Sequence, residues 1–90
     1  MIMVDRETVK KIVLDAIRND MHIVSDISEG DELMSDLGMT SLDVEDVECS
    51  IAIMLERQYN LGFDLSYADL NSWCTVGELI DCIVSQCEKA

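Results

Sequence analysis

The 90-residue sequence predicts an all-α fold, a small bundle of three main helices plus one short helix, in a single domain over residues 1–90. Three observations carry this expectation. Apolar residues recur at a helical period in three long segments, acids or hydroxyl residues stand at the start of each, and no segment shows the alternation of a convincing strand. An apolar fraction of 49% can build a core even at a formal net charge of −13, which separates the chain from a disordered acidic tail.

The first segment runs from residue 5 to about residue 19. Val9, Ile12, Val13, Ala16 and Ile17 form its buried stripe. Asp5 and Glu7 in the first turn and Arg18 near the end each complement the helix dipole at their own terminus. From 20 to 38 the period breaks, and Ser, Asp and Gly alternate with isolated apolar residues (Ile23, Val24, Ile27, Leu33, Leu37). That pattern predicts a long ordered loop pinned by those side chains, and loops of this length are often functional. The second helix starts at Thr40 or Ser41 and reaches residue 59 or 60. Either hydroxyl can cap it, Thr40 with Asp43 resembles a capping box with the shorter acid, and Gly62 suits the exit. Residues 66–70 read as a single capped turn. The last helix begins at Thr75 with Glu78 as reciprocal cap, and buries Val76, Leu79, Ile80, Ile83, Val84 and Cys87.

The second helix carries two stripes. At about 100° per residue, Val44, Val47, Ile51, Met54 and Leu55 share the core face, while Leu42, Cys49 and Ile53 fall nearly opposite, flanked by Glu45, Asp46 and Glu56. An apolar strip rimmed by acids suits docking against an apolar groove edged with Lys and Arg. The same three residues could instead tuck under the long loop. Charge placement is uneven: Arg6, Lys10, Lys11 and Arg18 hold four of the six cations in the first helix, whereas residues 19–56 contain eleven acids and no Lys or Arg.

Several function classes drop out. A polyanion of this density repels nucleic acid and anionic membrane surfaces. The longest apolar run, Ile51 to Leu55, is far short of the ~20 residues that cross a bilayer. Met1-Ile2-Met3-Val4 lacks the cationic lead of a secretory signal, so a cytoplasmic location is expected, with Cys49, Cys74, Cys82 and Cys87 as thiols rather than bridges. Cys82 and Cys87 sit roughly 140° apart on a helix, no C-x-x-C spacing exists, and no metal site is expected; Cys87 reads as core and Cys82 as exposed. Ser41 stands at a helix N-terminus behind Gly38, where unpaired N–H groups favour an attached or bound phosphate, although position alone favours a capping serine. A Ser-His-acid hydrolase lacks a positioned base, since His22 is the only histidine and reads as a surface or loop residue.

The stretch Asp36-Leu37-Gly38-Met39-Thr40-Ser41-Leu42-Asp43 closely resembles the D-L-G-x-D-S-L-D motif of the acyl carrier protein family. The resemblance extends over almost the whole chain in element order, and residues 73–80 look like that family's approach to its last helix. It implies an acyl-carrier-like bundle that is not an enzyme. Ser41 matches the serine that carries a covalent 4′-phosphopantetheine arm, transferred from coenzyme A by a Mg²⁺-dependent phosphopantetheinyl transferase. The arm holds acyl chains as thioesters for fatty-acid, polyketide or related biosynthetic enzymes. Leu42, Asp43, Asp46 and Cys49 match partner-contacting positions, in agreement with the strip that also includes Glu45 and Ile53. The expected partners are the transferase and acyl-processing enzymes with basic docking patches, and the carrier is expected to be a monomer. Two features depart from the family: Thr40 replaces the usual Asp before the serine, and a second helix about one turn longer carries apolar Ala52-Ile53-Met54 where acids are common. They suggest a specialised carrier, or alternatively a non-enzymatic interaction module that keeps the carrier fold without the cofactor.

Overall fold

A computed structural model describes residues 4–59 and 75–89. It contains three helices, α1 (Arg6–Met21), α2 (Ser41–Tyr59) and α3 (Val76–Lys89), with α1 packed against both of the others. The expected capped turn at 66–70, the exit at Gly62 and Cys74 lie outside the described residues. Among the described residues the only extended pairing is one antiparallel bridge between Glu32 and Thr75.

Each helix forms where apolar period and capping chemistry agree. Asp5 caps α1, its carboxylate accepting from the Glu7 N–H at 3.3 Å and the Thr8 hydroxyl at 3.2 Å. The helix runs two residues further than its sequence pattern suggests and stops where His22 turns left-handed, at φ 56°, with its N–H returning to the Arg18 carbonyl. All five predicted stripe residues of α1 are buried. On α3, Val76, Leu79, Ile80, Ile83 and Cys87 are buried, while Val84 is half-buried at the edge of the stripe. Cys82, expected at the surface, is half-buried against the core, because it lies one turn from Leu79 and next to Ile83. On α2, Val44, Val47, Ile51 and Leu55 are buried and Met54 is half-buried. Complete burial of a Leu or Ile side chain contributes about 1.5–3 kcal/mol, so this three-helix seam dominates the stability of the fold.

The long loop is ordered by its own polar side chains. Asp31 accepts from the Ser28 N–H at 2.8 Å, Asp36 from the Glu32 N–H at 2.7 Å, and the Ser28 hydroxyl from the Gly30 N–H at 3.1 Å. Ser35 also donates to Glu32. Ile27 and Leu33 anchor the loop in the core, with Ile23 and Leu37 half-buried, as expected. Val24 departs from the expectation and is fully exposed; Met39, just ahead of α2, is buried in its stead.

A polar clip joins the loop to both α1 and α3. Arg6 grips Glu29 with two guanidinium nitrogens, at 2.7 and 3.2 Å, and reaches Asp81 on α3 with Nε at 2.9 Å; Lys10 adds a third contact to Glu29 at 3.1 Å. The hydrogen bonds from Arg6 and Lys10 hold the Glu29 carboxyl down at about 2, well below its ordinary value. Glu29 and Asp81 in turn hold the Arg6 guanidinium above its usual range. Two of the four α1 cations are therefore engaged within the molecule.

Candidate functional site

The start of α2 is built by a reciprocal cap. The Thr40 hydroxyl accepts from the Asp43 N–H at 3.2 Å, and the Asp43 carboxylate accepts from the Thr40 N–H at 2.9 Å. The Thr40 carbonyl opens the helical ladder by accepting from the Val44 N–H at 3.0 Å. Sequence alone left the cap to either hydroxyl; the structure assigns it to Thr40. Ser41, the first helical residue, is exposed, and among the described residues no hydrogen bond engages its hydroxyl. The Ser41 and Leu42 N–H groups likewise meet no carbonyl of the described residues. Gly38 approaches with φ +70°, a left-handed conformation in which a β-carbon is strained, and its side-chain position opens onto free space.

The chemical consequence is a hydroxyl at a positive helix end, reachable from solvent and released from capping duty. Unsatisfied first-turn N–H groups and the helix dipole favour an anion there. A base for nucleophilic catalysis does not come from His22, which caps α1 in an exposed position. Among the described residues no cluster of three or more His, Cys, Asp or Glu side chains could hold a metal ion. No helix among them is long and apolar enough to cross a membrane.

The outward strip of α2 is exposed. Leu42 is 71% and Ile53 51% accessible, and Cys49 lies between them at the surface. Tucking under the loop is thereby excluded for all three. Glu45, Asp46 and Glu56 are exposed around the strip, whereas Asp43 is half-buried by its capping role. Of the eleven acids between residues 19 and 56, Glu29, Asp31, Glu32, Asp36 and Asp43 make hydrogen bonds within the loop, the clip or the cap. The acids left facing outward on α2 are those that rim the apolar strip.

Glu48 is the residue that sequence reasoning missed. It is only 6% accessible, and its Oε1 is buried without a hydrogen-bond partner. Burial, with the nearby Glu45 charge adding to it, pushes its carboxyl up to about 7. The signal was available: position 48 lies four residues after Val44, three before Ile51 and seven before Leu55, in the middle of the core stripe. A glutamate there is read as a gap in the stripe rather than as part of it.

Comparison with protein-family models, curated proteins and solved structures returned no match for the chain.

Proposed function

We propose that the chain is an acyl carrier protein with an acyl-carrier-like bundle, modified on Ser41 by 4′-phosphopantetheine. In this reading it works in the cytoplasm, delivering thioester-bound acyl chains to biosynthetic enzymes and catalysing no reaction itself. The observation that carries the reading is Ser41: within a motif that resembles the family's attachment site, it is exposed while Thr40 supplies the cap. The residues present fit the group. Ser41 offers the hydroxyl for a phosphodiester, and the open first-turn N–H groups favour its phosphate charge. When attached, the arm supplies a terminal thiol for thioester chemistry. The chain's own part is to present that attachment point at high effective concentration to each partner and to dock the partner through Leu42, Cys49 and Ile53. Glu45, Asp46 and Glu56 give long-range attraction to a basic docking patch, which speeds encounter without demanding a large contact area.

The reading is tested by incubating the protein with coenzyme A, Mg²⁺ and a broad-specificity phosphopantetheinyl transferase and recording intact mass. A single-arm mass increase in the wild type, absent in Ser41→Ala, is expected. No increase across several transferases, or an equal increase in the variant, would overturn it.

A further inference from the structure

The exposed strip of α2 does not end at Ile53 but continues around the helix toward α1. Asp46, Ser50 and Ile53 are neighbours at i, i+4 and i+7. The Ser50 hydroxyl crosses to the end of α1 and donates to Asp20 Oδ2 at 2.8 Å. Beside this bridge lies a cleft of about 230 Å³, lined by Ala16, Asn19, Asp20, Ser50, Ile53 and Met54. Small-molecule sites usually occupy about 300–1,000 Å³, so the cleft suits one long side chain rather than a metabolite.

Its chemistry is two-sided. Ala16, Ile53 and Met54 supply an apolar floor, and Asn19 and Asp20 an exposed polar rim. Among the described residues no cation lies within ion-pair distance of Asp20. The Ser50 bond holds the carboxylate in place while leaving acceptor capacity on both oxygens. An apolar trough leading to a fixed, cation-free carboxylate matches arginine, whose methylene stem packs on apolar surface and whose planar fork binds carboxylates. Lysine would fill the trough less completely and make a single point contact.

We propose that the α1–α2 cleft anchors one arginine side chain of a basic protein partner, so that the docking surface of α2 extends onto the end of α1. This rests on the proposed class of partner, a basic protein that reads α2, and not on modification of Ser41.

The test is a titration of the ¹⁵N-labelled full-length protein, at low ionic strength, with a synthetic amphipathic helical peptide bearing leucines on one face and arginines on the other. Amide shifts should concentrate at Asn19, Asp20, Ser50 and Met54. Asp20→Asn should weaken binding about tenfold, the loss of one charge-assisted fork. Asp26→Asn, which removes the same charge from an exposed loop position outside the cleft lining, should change the Kd less than about twofold, as for an exposed charge. A peptide with citrulline in place of arginine should lose the cleft shifts. Shifts spread over Asp26, Glu45 and Glu56 with none in the cleft would overturn the proposal. Equal Kd values for the two variants, or undiminished cleft binding by the citrulline peptide, would also overturn it. Cleft binding by a protein that accepts no arm would leave this site standing while the carrier reading fails; an arm on Ser41 without cleft binding would do the reverse.

Discussion

The N-termini of α2 and α3 begin alike and end up in opposite states. Each opens with a threonine and an acid three residues on: Thr40 and Asp43 each accept from the other's backbone N–H, whereas the Thr75 hydroxyl accepts from the Glu78 N–H and donates to the Glu78 carboxylate. At α3 the loop then closes over the helix end. The Asp31 carbonyl accepts from the Val76 N–H at 3.0 Å and the Glu29 carbonyl from the Gly77 N–H at 2.8 Å. That approach is close enough for a β-carbon on Gly77 to lie 3.2 Å from the Glu29 carbonyl oxygen. At α2 nothing among the described residues closes over the corresponding N–H groups of Ser41 and Leu42. A helix end whose donors are met by backbone is structural. One whose donors are left open, beside an exposed hydroxyl, is available for chemistry. The contrast, rather than either cap alone, marks Ser41.

Hydrogen exchange should show the largest effect. The Gly77 amide should exchange at least about a hundredfold more slowly than the Ser41 and Leu42 amides, since its opening requires the loop to leave α3. Comparable rates would erase the distinction between the two ends.

A smaller effect is expected behind the open end, at Glu48. Its carboxyl is raised to about 7 in the folded protein against an ordinary 4.5, so the folded state holds the proton more tightly than the unfolded state does. The cost of ionising it in the core is absent below about pH 4.5, grows as the pH rises toward 7, and is complete above that. Glu48→Gln should therefore stabilise the protein by about 2 kcal/mol at pH 8 and change little at pH 4.5, as read by urea unfolding. A variant less stable than wild type at pH 8 would mean that the charge is compensated after all.

The covered end should give the opposite pH sign and a more modest change. Glu29 titrates near 2 when folded, against 4.5, so its contribution is present above about pH 4.5 and is lost as the pH falls toward 2. Glu29→Gln should lower Tm at pH 7 and converge with wild type near pH 2. A constant difference across that range would assign its role to packing rather than charge.

Much of this arrangement was legible in the sequence because it depends on near neighbours. The three helices followed from apolar spacing. The Thr40–Asp43 and Thr75–Glu78 pairings followed from residues three apart and the outward strip of Leu42, Cys49 and Ile53 from angular position on one helix, but the choice of Thr40 over Ser41 as cap and the exposure of the strip came only with the structure. Val24 turned outward against expectation, and Met39, for which the pattern gave no expectation, turned inward, because a loop has no period to say which side chain is buried. Glu48 escaped because polarity was weighed above position in the stripe.

The amino-acid sequence by itself determined where the helices run, which face of each is apolar, and which serine stands at the head of α2. Those properties come from contacts a few residues apart along the chain. Only the tertiary structure decided that the loop covers α3 and leaves α2 open, and that Arg6 engages Glu29 and Asp81, 23 and 75 residues away. It also decided that one acid is buried and that Asp20 and Ser50 frame a cleft. Those outcomes depend on which distant groups meet once the apolar stripes have packed, and local periodicity carries no record of such meetings.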